Sequence, residues 1–276
     1  MYAGFITTRR VVKRAGIHQR LDMAAFHMVQ EYLPDQAFPT LKQILHFEGY
    51  NGPDGLKSKT GLKYKTKEDH NPSHIYDPIT DTGEVPDHID HHFHGLVKAL
   101  KKGDEVRAAF EASWMAHYVG DGLTPAHHFP LEDKIAAAAD QATKDVDSGD
   151  VSKFTAHVKK NWAIWGAKGH MSTHFNFELG VAFALLFFRI QPEFDDLELN
   201  RARELGPVQY FKEQARDVAD LNLYERFYKV GWTADIAAAV KNQLAPKVAR
   251  TIGIIWLLAL LEADKQLVLQ QTAALA

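Results

Sequence analysis

Two histidine–carboxylate pairs with the same spacing are the residues best placed to do chemistry: His117 with Asp121, and His174 with Glu178. On an α-helix, positions i and i+4 lie one turn apart on one face, so each pair aims an imidazole nitrogen and a carboxylate oxygen at a common point. A third imidazole, His127, follows the first pair across Gly120, Gly122 and Pro125. Imidazoles and carboxylates converging from separate elements make a nitrogen/oxygen ligand set for a borderline divalent ion. In a chain with 15 His among 276 residues, one such pair alone would be read as a helix-surface ion pair. Two pairs, one joined through a Gly/Pro turn to a third His, point to metal.

The elements that must position these residues read as helices. Val106, Phe110, Trp114 and Met115 recur at helical spacing ahead of His117, which predicts a helix over 105–118 that Gly120, Gly122 and Pro125 break. Similar patterns predict helices over 18–33, ended by Pro34, over 40–46, and from the run D-H-I-D-H-H-F-H-G at 87–95 to about 102. Of His88, His91, His92 and His94, one or two are expected to support the ligands and most to lie at the surface. The alanine-rich stretch 131–167 predicts one or two helices around a turn at 148–150. Glu178 opens a very apolar continuation with Val181, Phe183, Leu185 and Phe187, so its helix is expected to be buried on most sides and its carboxylate to need a partner. Further helices are expected over 208–220, 233–243 and 247–271; the last carries the apolar run 252–261, too short to span a bilayer and read as buried. Strand alternation is scarce, and there is no internal repeat or linker. The expectation is one all-α domain over 1–276, a multi-helix bundle whose ligands face a common metal cleft.

At 46% hydrophobic and 24% charged residues the composition is globular, and a net charge of −3 gives no overall basic footprint for nucleic acid. The absence of cysteine excludes disulfides, thiolate catalysis and Cys-held zinc, so any metal is held by nitrogen and oxygen. The start, M-Y-A-G-F-I-T-T-R-R, has no apolar core after its basic residues; a cytoplasmic protein is expected from the chain as written, and a secreted one if a leader precedes it. A long Gly/Pro/Asn/Asp-rich segment, 49–86, presents Asp54 in G-Y-N-G-P-D and His74 in S-H-I-Y-D-P. Between them lie five lysines at 57–67, either a solvated loop or an attraction for anionic substrate.

The candidate ligands are therefore His18, Asp54, His74, His117, Asp121, His127, His174 and Glu178. They are too many for one ion and suit two or three that share a bridging carboxylate, for which Asp121, central in its motif, is the choice. Close-set ions clamp the attacking and leaving oxygens of a phosphoryl transfer, so phosphoester hydrolysis leads. The chain has no H-E-x-x-H, no His-Asp doublet, no Glu-x-x-His, no P-loop and no G-x-S-x-G, which removes the competing metal and nucleophile frameworks.

The stretch H-Y-V-G-D-G-L-T-P-A-H at 117–127 resembles the signature of the bacterial zinc-dependent phospholipase C family, itself related to S1/P1-type nucleases. S-H-I-Y-D-P is similar to the segment supplying a zinc-binding histidine, here His74, and G-Y-N-G-P-D to that holding the metal-binding or base aspartate, here Asp54. H-Q-R-L-D-M-A-A resembles the early helix with a zinc-binding histidine, His18; H-x-x-x-E maps onto His174 and Glu178; and R-T-I-G-I-I-W-L-L resembles the last helix. The resemblance implies that Asp54, His74, His117 and Asp121 hold one zinc, that His127, His174 and Glu178 hold a second, and that His18 with Asp121 holds a third. It further implies cleavage of phospholipid head groups at a membrane surface by a metal-activated water, with Asp54 as base. A nuclease acting on single-stranded nucleic acid, or a non-catalytic metal-binding module, are the alternatives; no protein partner is inferred.

Two departures from the family pattern stand out. No Trp stands near the start to bring an amino group to the third zinc, and His18 has 17 residues before it. The stretch from His127 to His174 is also longer than in the bacterial phospholipase, which would reshape the cleft wall.

Overall fold

A computed structural model describes residues 16–33, 37–48, 51–53, 74–128, 131–148, 152–166 and 169–264. These form an all-α architecture with one two-stranded hairpin. In chain order the helices are α1 (Ile17–Val29), α2 (Leu41–Ile44), α3 (Val85–Lys102), α4 (Glu105–Gly122), α5 (Leu131–Asp147), α6 (Lys153–Trp165) and α7 (His170–Leu185). They continue with α8 (Asp196–Ala219), α9 (Leu223–Val230), α10 (Ala234–Ala239) and α11 (Ala245–Ala263); strands β1 (Tyr76–Asp77) and β2 (Thr82–Gly83) precede α3.

Helix α4 is the centre. From Ala108 to Gly122 every residue on it is buried, because α1, α2, α3 and α11 surround it. Asp104 caps its start, its carboxylate accepting the Arg107 amide at 3.0 Å, and Gly103 in the left-handed region ends α3 immediately before. The α3–α4 hairpin encloses one buried ionic knot, in which Glu111 accepts His92 Nδ1 at 2.6 Å and Arg107 Nε at 2.7 Å. A Cβ at Gly95 would lie 2.3 Å from Glu111 Oε1, so a glycine is required opposite it. Of the four clustered histidines, then, His91 and His94 are exposed and His92 is buried on a structural partner. Helix α11 crosses the same core and donates its Trp256 indole N–H to the Ala112 carbonyl at 3.0 Å.

Several sequence expectations need correction. The helix carrying His117 runs through Gly120 and ends at Gly122, so the expected break falls at the second glycine. Both glycines serve close approach: a Cβ on Gly120 would sit 3.0 Å from His18 Nδ1, and one on Gly122 would sit 2.5 Å from Phe211 and 2.7 Å from Val85. Helix α7 is not buried on most sides; Phe177, Val181 and Leu185 are covered, whereas Phe175, Phe183, Leu186 and Phe187 are exposed. The helix expected over 208–220 begins after Pro207, where Gly206 leaves helical geometry at φ 74 and ψ 168; a further helical stretch, 196–205, precedes it within α8, and α9 is an additional helix. The helical run Ala234–Ala263, joined by a π-turn, is long and apolar enough to cross a membrane; 83% of its most apolar window is buried inside the protein, so here it is core. The last helix ends at Ala263, short of the expected 271.

Gly122→Ala tests the packing argument by sign. Relief of glycine's helix cost is worth about 1 kcal/mol, against an overpacking cost of about 1–3 kcal/mol from Phe211 and Val85. The variant is therefore expected to lower the urea midpoint, and a raised midpoint would show that Phe211 moves aside freely.

Candidate metal centre

Asp121 lies on the last turn of α4, 1% exposed, and four imidazole nitrogens face its two oxygens. Oδ1 is 3.2 Å from His18 Nε2 and 3.6 Å from His127 Nε2; Oδ2 is 2.5 Å from His74 Nδ1 and 3.2 Å from His117 Nε2. His127 Nε2 is also 2.9 Å from Glu178 Oε1, which His174 Nε2 approaches at 3.4 Å. Two groups of closely set ligand atoms result, His74–His117–Asp121 and His127–His174–Glu178, linked through His127 and Asp121.

Each side chain is delivered by a different element. On α1, Ile17, Leu21, Ala25 and Val29 form the buried ridge at four-residue spacing, which turns His18 and Asp22 on the next ridge towards α4. His18 stacks on His117 with ring centroids 3.9 Å apart, the closeness Gly120 allows. His74 enters just before β1. There Tyr76 packs on Phe211 of α8 and donates to Asp81, whose carboxylate also meets Lys212 Nζ at 2.8 Å, so α8 anchors the hairpin. After α4, Thr124 Oγ1 donates to the Gly120 carbonyl and the chain tightens into the 3₁₀ turn Pro125–His128. His127 Nδ1 then donates to the His74 carbonyl at 2.9 Å, which aims Nε2 at Glu178 and Asp121. Arg20 on α1 caps the C-terminal end of α7, donating to the carbonyls of Leu186 (2.7 Å) and Phe188, and so ties the His18 helix to the helix of His174 and Glu178.

Burial alone would raise the pKa of Asp121; positive charge around it, that of the His127, His117 and His18 imidazoles included, acts against this, and the carboxyl stays well below its ordinary value. Glu178 is likewise pushed up by burial and drawn well below its usual range by positive charge around it together with hydrogen bonds from His127 and His174. Burial lowers the pKa of His127, against the pull of the Asp121 charge. His128, next in the chain, is pushed down to about 4 by burial and faces the Gly122 carbonyl instead.

Seven of the eight residues singled out from the sequence thus come together: His18, His74, His117, Asp121, His127, His174 and Glu178. Asp54 and the lysines at 57–67 lie outside the described residues. Two further carboxylates join the cluster. Glu48, after a short 3₁₀ turn, accepts Ser113 Oγ at 3.3 Å and stands 3.5 Å from His117 Nδ1; with His18 and His117 it forms a third buried ligand group. Asp22 is buried with no hydrogen-bond partner for either oxygen among the described residues; burial, then the charge of Glu48, raises its pKa well above the ordinary value. A signal for Asp22 existed, since His18 and Asp22 repeat the i, i+4 spacing of the other two pairs. Glu48 carries no such pattern, because it meets its partners only across the fold.

The donor set fits divalent cations. Four ring nitrogens crowd two carboxylate oxygens, and His174 Nδ1 is buried without a hydrogen-bond partner among the described residues. No family model matches the chain, and no curated protein matches it significantly.

Glu48→Gln keeps the shape but removes the charge beside His117 Nδ1. It is expected to weaken zinc binding about 10–100-fold in competition with a chromophoric chelator, with little change in unfolding midpoint. Unaltered zinc affinity would remove Glu48 from any role in orienting His117.

Proposed function

We propose that this chain is a zinc-dependent phosphodiester hydrolase, phospholipase C-like, that releases phosphorylated head groups from phospholipid. The observation that supports this reading is a single buried carboxylate, Asp121, met by imidazoles from separate elements and linked through His127 to a second imidazole–carboxylate group. His74, His117 and Asp121, with Asp54, would hold one ion; His127, His174 and Glu178 a second; His18 with Asp121 a third. Zinc bound there would supply Lewis-acid charge for the phosphoryl oxygens and lower the pKa of a water.

The chain's own residues set the conditions for that chemistry. Asp121, its pKa well below the ordinary value, favours the ionised form inside the protein, and the His74 carbonyl sets the orientation of His127. Tyr224, raised to about 12 by burial and then by the charge of Glu178, keeps its proton. Asp54 is assigned as the base that takes the proton from the attacking water as its oxygen bonds to phosphorus and the ester oxygen leaves. Between lipid and nucleic acid, the exposed aromatic residues on α7, the helix of His174 and Glu178, favour lipid.

Reconstituted protein is expected to hold at least two zinc ions per chain by elemental analysis, since the ligands exceed what one ion accepts, and to hydrolyse bis-p-nitrophenyl phosphate. Asp121→Asn removes charge between the two ligand groups and is expected to cost zinc together with about 100-fold or more in turnover. One ion or none, or an Asp121→Asn protein with full zinc and normal turnover, would overturn the assignment. Phosphatidylcholine vesicles should release head group faster than single-stranded DNA is cut. Strong nuclease activity without head-group release would replace lipid by nucleic acid as substrate.

A further inference from the structure

Three neighbouring ridges of α7 have three fates. Phe177, Val181 and Leu185 are buried, His174 and Glu178 join the candidate centre, and Phe175, Phe183 and Phe187, on the ridge that continues past the helix end, face outward. Phe183 is 68% exposed and Phe187 95%. Helix α6, packed against α7, repeats the feature: Phe154, Val158 and Trp162 lie at four-residue intervals, with Phe154 77% and Trp162 71% exposed. More than half of the exposed large hydrophobic side chains among the described residues fall in this stretch of the chain. Single exposed apolar residues are ordinary; a concentration of them on two helices that pack together is not.

These aromatics do not belong to a loose end. Arg20 holds the carbonyls of Leu186 and Phe188, and Trp232 donates to the Asn176 carbonyl at 3.2 Å while its indole covers Gly180. The backbone of α7 is therefore fixed while its outer ridge stays uncovered.

Charge selects the occupant. From Ser152 to Gly166 the sequence has Lys153, Lys159 and Lys160 and no acid, and on α7 the one acidic residue, Glu178, is committed to the candidate centre. An aromatic ridge with a Trp, flanked by lysines, is the pattern of a helix lying in a membrane interface. Protein–protein interface cores are poor in Lys, and a two-fold dimer through this face would set like charges against each other.

We propose that the outer ridges of α6 and α7 dock on an anionic phospholipid bilayer, and that α7 thereby brings the His127–His174–Glu178 group to the surface on which it rests. This builds on the phospholipid reading above, yet can be tested apart from it. Zinc-loaded full-length protein is mixed in the cold with vesicles of phosphatidylcholine, with and without phosphatidylserine, and sedimented; hydrolysis of bis-p-nitrophenyl phosphate is measured in parallel. Wild type is expected to sediment with vesicles, more with phosphatidylserine and less at high salt. Phe183→Ser/Phe187→Ser is expected to weaken binding about tenfold or more with unchanged turnover of the soluble diester, and Lys159→Glu/Lys160→Glu to abolish the preference for phosphatidylserine. Wild type that stays in solution, or an aromatic variant that binds like wild type, would overturn the docking surface and leave the hydrolase reading intact. A wild-type dimer that the aromatic variant returns to monomer would reassign the face to self-association. Vesicle binding without diester turnover would keep the docking surface and remove the hydrolase reading.

Discussion

A carboxylate removed from water must be met by positive charge or by hydrogen-bond donors, and Asp121 imposes that demand on the rest of this fold. It sits on the last turn of α4, where the helix dipole is negative, so the local backbone opposes its charge. The answer comes from imidazoles carried by α1, the segment before β1, α4 itself and the 3₁₀ turn after it. Because α4 is enclosed by other helices, these groups meet in a place that water does not screen, and their mutual effects are large.

Precision at that point is built from outside inward. Phe211 and Lys212 of α8 secure the hairpin through Tyr76 and Asp81; the hairpin carries His74; the carbonyl of His74 orients His127. Arg20 links α1 to the end of α7, so His18 and the His174–Glu178 pair are held in one frame. Behind His18 and His117 lie two more buried acidic side chains, Glu48 and Asp22, the latter with a pKa that burial raises well above its ordinary value. Cations are the natural complement of such a set.

The long stretch between His127 and His174 forms the helical pair α5 and α6, and both helices pack against α7. Helix α7 is apolar in composition yet only partly buried. One ridge satisfies the core, and the others are free for ligand and surface roles.

The spacing of His117 with Asp121 and of His174 with Glu178 was legible because helix geometry converts a four-residue interval into a shared face without help from the rest of the chain. The all-α class and the buried last helix were legible for the same reason, since periodicity is local. What stayed hidden depended on contacts between distant segments. Gly120 and Gly122 have the composition of a helix break, and the helix does end at Gly122, but only His18, Phe211 and Val85, far away in sequence, make both glycines sites of close approach. Phe183 and Phe187 have the composition of a core, and only the packing of α7 on its neighbours leaves them outside. Glu48 lies 69 residues from His117 with no pattern to join them, and its place beside that ring was decided by tertiary structure alone, because proximity across a fold leaves no periodic trace in a single sequence.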